Sequence, residues 1–202
     1  MKIIAIGRNY IDHAKELDNP VPKEPVFFMK PESSLIINNK PFYYPDFSHD
    51  IHYEVEVLVR INKVGKYIER QFAHKYYDEI GLGIDFTARD VQAHCKQKGL
   101  PWEKAKAFDG SAVVGQFFPK EHYNLDALSF QLHKNNELVQ DGNTSHMLWP
   151  IDELISYVSQ YFTLKKGDII FTGTPAGVGK VSEDDVLVGS LEGKEAFRIV
   201  VK

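Results

Sequence analysis

HYEVEVLVRI, residues 52–61, decides the fold class. Glu54 and Glu56 alternate with Val55, Val57 and Val59, and the two-residue period of a strand sends the carboxylates to one face and the valines to the other. Taken alone, a pair of acids in a strand describes a solvated outer face over a buried valine face as readily as it describes a site. GLGIDFTARD, residues 81–90, adds a second apolar strand that ends in Asp85 immediately before a helical pattern. A carboxylate at a strand end next to a loop is well placed to enter a site, although an Asp there can equally serve to cap a turn. If Glu54, Glu56 and Asp85 converge, they repel one another unless a cation joins them. An all-oxygen set suits Mg2+, Mn2+ or Ca2+ better than Zn2+, which favours histidine and cysteine.

Outward from these stretches the chain stays rich in strands. Segments 2–7, 51–62, 81–86, 111–118, 127–133, 168–172 and 196–201 read as strands separated by turn residues. The stretch from Pro20 to Pro31 must be extended, because proline forbids helix and disfavours it one residue earlier. Two helices stand out, one over Arg89 to Lys98 and one over Ile151 to Tyr161, with a shorter one within RNYIDHAKEL, residues 8–17. The Arg89 helix opens with Thr87 at the N-cap and Asp90 at N3, close to a capping box, and Gly99 supplies its left-handed stop. With no internal repeat and no long linker, the pattern predicts one α+β, strand-rich domain over residues 1–202.

Bulk properties narrow the function. The chain has 202 residues, 43% of them hydrophobic and 12% aromatic, enough to bury a core without covalent staples. A formal charge of −4 with no basic stripe argues against nucleic-acid or anionic-membrane partners. Cys95 is the only cysteine, which excludes an intrachain disulfide and any cysteine-rich metal site. That economy fits a reducing compartment, and MKIIAIGRNY is too short an apolar run for an export signal or a spanning helix, so a cytoplasmic protein is expected.

Four further groups are candidates for chemistry. Arg89 and Gln92 lie three apart and share a helix face. Lys106, in LPWEKAKAFDG, sits among apolar neighbours where a buried ammonium would need a partner, although Lys104 shows that the segment tolerates surface lysines. His13 and Glu16 are also three apart, which suits a carboxylate-oriented general base or a plain exposed helical pair. GDIIFTGTPAGVGK, residues 167–180, suggests a phosphate loop but fails that motif. Val178 stands where the second glycine is needed, and Lys180 is followed by Val181.

In combination and order, IGRNYIDHAKEL, FMKPESSLI, HYEVEVLVRI, GIDFTARDVQ, KGLPWEKAKAFDG and GDIIFTGTPAGVG resemble the fumarylacetoacetate hydrolase family across nearly the whole chain, most closely its short acylpyruvate hydrolase and oxaloacetate decarboxylase members. The resemblance implies a mixed β-roll of the family's C-terminal-domain type with short helices, usually dimeric. It implies Glu54, Glu56 and Asp85 as ligands of Mg2+ or Mn2+, with the remaining positions held by water, since the fourth acidic ligand of the long enzymes has no match here. It further implies substrate contacts from Arg89, Gln92, Lys106 and Thr174, and a catalytic dyad of His13 and Glu16 on a mobile lid. His52, on the strand face of Glu54, is expected to line the site at most. The implied activity is metal-dependent C–C cleavage of an acylpyruvate-type 2-oxo acid, extending to decarboxylation of oxaloacetate. The alternatives are an isomerase of unsaturated 2-oxo diacids and, from another class, a metal-stabilised binding protein without turnover.

Overall fold

The computed structural model describes residues 1–16 and 20–202. Its strands are β1 (Ile3–Gly7), β2 (Val26–Lys30), β3 (Leu35–Ile36), β4 (Ile51–Tyr53), β5 (Val55–Ile61), β6 (Tyr77–Asp85), β7 (Thr87–Ala88), β8 (Ala112–Pro119), β9 (Ser129–Lys134), β10 (Glu137–Asn143), β11 (Ile169–Phe171), β12 (Gly179–Lys180), β13 (Val186–Leu191) and β14 (Lys194–Val200). The helices are α1 (Ile11–Glu16), α2 (Arg70–Ala73), α3 (Arg89–Lys98), α4 (Glu103–Lys106) and α5 (Ile151–Tyr161). The fold is the strand-rich α+β arrangement that the sequence predicts.

The strands form a seven-stranded sheet in the order β2-β1-β11-β5-β6-β8-β3, a four-stranded sheet β10-β9-β13-β14, and a three-stranded sheet β12-β4-β7. β1 runs parallel to β11 and β3 to β8, while the other pairs are antiparallel. Val55, Val57 and Val59 pack into the main core with Phe130, Leu132, Leu187, Phe197 and Ile199 of the four-stranded sheet. The stripe Ile151, Leu154, Ile155 and Val158 of α5 joins the same core at helical spacing. On the opposite face of the seven-stranded sheet, Leu58 joins Ile3, Ala5, Ala112, Ile169 and Phe171 in a second cluster. The carboxylate-bearing face of β5 is therefore itself covered, and the solvated-face reading of the paired acids does not hold.

One feature of register places the site. β5 and β6 pair with Val55 opposite Ile84 and Glu56 opposite Gly83, and β4 and β7 pair with Ile51 opposite Ala88 in the same frame. Two long strands thus run together and leave the large sheet at the level of Glu54 and Asp85, where the Asp85 N–H donates to the Glu54 carbonyl at 2.9 Å. Gly83 is required on this face, because a Cβ there would stand 2.2 Å from the Val113 carbonyl oxygen.

α3 and α5 occupy the predicted spans, and Gly99 ends α3 at φ 64°. The capping box does not form. Ala88 is the N-cap residue, Thr87 turns to the Lys106 ammonium, and the Asp90 carboxylate is taken by Ser48 Oγ at 2.6 Å and the His49 N–H at 3.1 Å. Contacts from distant chain segments displaced the local cap. The helix expected over 8–17 shortens to α1, because Arg8 adopts φ 61° and Asn9 and Tyr10 precede the first turn; Leu17 lies outside the described residues.

Candidate metal-binding active site

Glu54 and Asp85 face each other across the strand pair, and Glu56 follows Glu54 on the same face. Their carboxylate oxygens come within 4.8 Å of one another, and all three residues are buried. Like charges set opposite on a sheet destabilise it, so the cluster needs cations. Lys106 Nζ, delivered by α4, donates to Glu54 Oε2 at 2.7 Å, Asp85 Oδ2 at 2.8 Å and Thr87 Oγ1 at 2.5 Å. Arg89, at the first turn of α3, donates to Glu54 Oε1 at 2.6 Å and to Gln92 Oε1 at 2.9 Å. Lys106 is 4% exposed, which removes the surface-lysine reading.

Burial alone would raise the Glu54 carboxyl, but Lys106 and Arg89 outweigh it and hold Glu54 ionised, well below the usual carboxylate range. Burial also disfavours the charged form of Lys106, and there Asp85 and Glu54 prevail, so its pKa rises. Glu56 goes the other way. Burial, then the charges of Asp85 and Glu54, push it well above its ordinary value, against the opposing hydrogen bond from the Gly173 N–H at 2.7 Å. A buried all-oxygen set with one carboxylate driven towards its neutral form by its neighbours fits a hard divalent cation, which would reverse that repulsion.

His13 and Thr174 complete the wall. His13 Nδ1 lies 3.4 Å from Glu16 Oε2, and Glu16 Oε1 accepts the Gly177 N–H at 3.0 Å, which ties α1 to the loop after β11. Burial lowers the His13 pKa and keeps the ring neutral. Ile6, Gly7, Arg8, Phe28, Lys96 and Trp102 line the same cavity as the three acids, Arg89, Gln92, Lys106, His13 and Thr174. Its volume is about 30 Å³, space for roughly two water molecules.

All nine expected site residues thus lie together, Glu16 just behind His13. His52 does not line the cavity; its Nε2 pairs with Asp50 Oδ1 at 3.0 Å instead. Three functional neighbours were not signalled. Lys30 is wholly buried, its Nζ 2.7 Å from Asp85 Oδ1 and also donating to Ser111 Oγ at 3.0 Å and to the Lys106 carbonyl. Its only trace in the sequence is a lysine two residues after the cavity-lining Phe28 in the apolar strand VFFMK. Gln140 accepts the Val55 N–H at 2.9 Å and donates to Thr174 Oγ1 at 2.9 Å and the Pro175 carbonyl at 3.1 Å, with no local pattern to betray it. Thr87 carried a signal that pointed to capping.

Comparison with known proteins places these features among relatives. The family model described as fumarylacetoacetate (FAA) hydrolase C-terminal matches residues 2–200. The chain is 43% identical over 201 residues to the mitochondrial oxaloacetate tautomerase FAHD1 of Mus musculus, covering 99% of this chain and 91% of that protein. It is 40% identical over 206 residues to the mitochondrial oxaloacetate decarboxylase of Dictyostelium discoideum, covering 100% and 94%. A fumarylpyruvate hydrolase from Pseudomonas aeruginosa, solved in complex with Mn2+ and pyruvate, superposes with a TM-score of 0.94 at 32% identity, covering 100% of this chain and 89% of that one. Among the described residues no helix is long and apolar enough to cross a membrane.

Proposed function

This chain belongs to the fumarylacetoacetate hydrolase family, and from that premise we propose that it is a divalent-metal-dependent enzyme acting on oxaloacetate through proton transfer at C3. The observation that carries the reading is the buried Glu54, Glu56 and Asp85 cluster, with the charged Lys106 on two of its carboxylates and the neutral His13 lining the same cavity. Oxaloacetate is favoured over other 2-oxo acids by relatives about 40% identical over nearly the full length that bear tautomerase and decarboxylase names.

Glu54, Glu56 and Asp85 would hold Mg2+ or Mn2+, which supplies Lewis-acid polarisation of a 2-oxo acid. The chain's own groups do the rest. Thr174 Oγ1 accepts from Gln140, so its hydroxyl proton is left to donate to the substrate carboxylate. Arg89, fixed between Glu54 and Gln92, keeps a cation beside that carboxylate. Lys106 holds positive charge where the C2 oxygen turns negative as the enolate develops. With Nδ1–H directed to Glu16, His13 presents the Nε2 lone pair to move the C3 proton. The bond from the Gly177 N–H to Glu16 Oε1 holds α1 against the loop after β11, and opening it would widen the cavity for a four-carbon acid.

A second reading is hydrolytic C–C cleavage of acylpyruvates, in which the same His13 Nε2 takes a proton from water. The oriented His13 and Glu16 pair favours it, together with the structural likeness to the fumarylpyruvate hydrolase. Oxaloacetate, acetylpyruvate and fumarylpyruvate assayed with Mg2+, with Mn2+ and with chelator separate the readings. Loss of enol absorbance without CO2 means tautomerisation, and pyruvate from oxaloacetate means decarboxylation. Cleavage of the dioxo acids alone would replace the first reading with the second, and activity that survives chelation would defeat both.

A further inference from the structure

Asn9 is buried and commits its whole side chain to backbone partners. Its Nδ2 donates to the carbonyls of Trp149 at 3.1 Å and Thr172 at 2.8 Å, and its Oδ1 accepts the Trp149 N–H at 2.9 Å. The Thr172 carbonyl and the Gly173 N–H belong to one trans peptide group, so they point in opposite directions. On the far side that N–H donates to Glu56 Oε2 at 2.7 Å. Asn9, the peptide and Glu56 thus form an unbroken chain of hydrogen bonds in a buried setting, where each bond polarises the next.

The fold brings this peptide to Asn9. β1 and β11 run parallel with Ala5 opposite Phe171, so the residues that follow each strand leave the sheet side by side. Arg8 turns the chain at φ 61°, and the Asn9 carbonyl accepts the Leu148 N–H at 2.8 Å, which anchors Asn9 before α1 starts at Ile11. Thr172 is held from β5 as well, since the Val57 carbonyl accepts both its N–H at 3.1 Å and its Oγ1 hydroxyl at 2.9 Å. Gly173 has φ 103°, and a Cβ there would stand 2.7 Å from the Asn9 Cβ, so glycine is what lets the asparagine come this close.

We infer that Asn9 is a positioning residue for the metal ligand Glu56: by clamping the Thr172 carbonyl it aims the Gly173 N–H at Glu56 and holds that carboxylate in place beside Glu54 and Asp85. This role deepens the proposed function and rests on the metal site assigned there. Asn9 does not line the cavity and acts through one peptide group, as outer partners do when they orient the ligands of a metal.

Mn2+ is titrated calorimetrically into chelator-treated wild type, Asn9→Ala, Asn9→Asp and, as a core variant of lowered stability, Ile155→Val in α5. Asn9→Ala removes the clamp. Asn9→Asp keeps the shape and the acceptor for the Trp149 N–H but sets an oxygen against the Thr172 carbonyl. Its added negative charge would by itself favour a cation, so weaker binding in that variant reports the lost clamp. Each Asn9 variant should bind Mn2+ about 10-fold more weakly, the lower end of what loss of an outer partner costs in metal affinity. Ile155→Val should keep the wild-type affinity despite a lower Tm. In amide NMR spectra of the metal-free protein, the Gly173 proton should lie well downfield in wild type and move upfield in both Asn9 variants. Wild-type Mn2+ affinity in both Asn9 variants overturns the clamp and leaves the metal site standing. A Gly173 proton at an ordinary amide position in wild type overturns it too, a measurement that holds even where neither variant folds. A wild type that binds no Mn2+ defeats the metal site instead.

Discussion

Lys106→Met tests the electrostatic core of the site by a change that keeps side-chain volume and removes one charge. The Lys106 ammonium joins Glu54 at 2.7 Å, Asp85 at 2.8 Å and Thr87 at 2.5 Å with 4% exposure. Removing one partner of a buried ion pair costs about 3–5 kcal/mol. Asp85 keeps Lys30 and Glu54 keeps Arg89, so the lower end of that range applies. In a chain of this size 1 kcal/mol moves Tm by about 2–4 °C, which predicts a fall of about 6–12 °C in chelator. Saturating Mn2+ gives the same carboxylates another counter-charge, so the deficit should shrink by half or more. Scanning calorimetry of wild type and variant, each in chelator and in Mn2+, reads all four values. A deficit under 2 °C in chelator, or one that Mn2+ leaves untouched, would refute the argument that lysine and metal answer to the same carboxylates. In catalysis the variant should lose about 10²–10³ in kcat/KM, the worth of a donor facing developing charge.

Three more outcomes follow. Glu56→Gln should bind Mn2+ far more weakly by calorimetric titration yet raise the metal-free Tm, because Glu56 is strained by burial and by Asp85 and Glu54. The sign in pH agrees. With its folded pKa above 4.5, metal-free Glu56 holds its proton more tightly folded than unfolded, so its contribution is complete below 4.5 and is lost as pH rises through the folded pKa; a metal-free stability that rises through this window in wild type relative to Glu56→Gln would contradict it. Gln140→Leu leaves the Val55 N–H and the Thr174 hydroxyl without their partner, at about 1–3 kcal/mol for each buried orphan, and should raise KM more than it lowers kcat; an unchanged KM would make Gln140 purely structural. His13→Ala should depress acylpyruvate hydrolysis and oxaloacetate tautomerisation by about 10²–10⁴ while sparing decarboxylation, which needs no base; equal losses in all three would reduce His13 to a closing element.

The sequence by itself determined the elements whose signal is local and periodic. Two-residue alternation put Glu54 and Glu56 on one face, and the apolar spacing of Ile151 to Val158 with the stop at Gly99 set α5 and α3 to the residue. Residues 137–143 and 186–191 were not recognised as strands, since β10, ELVQDGN, carries too little apolar alternation to declare itself. Whether an acid pair is a surface or a site was not local information. It was decided when β5 and β6 brought Asp85 opposite Glu54 and a second apolar cluster covered their face. Tertiary structure alone brought Lys30 to Asp85 and Gln140 to both Val55 and Thr174, and let Lys106 take Thr87 from its helix cap. A buried charge or amide must find a partner wherever the packed chain offers one, and those partners stand 19 to 85 residues away in sequence.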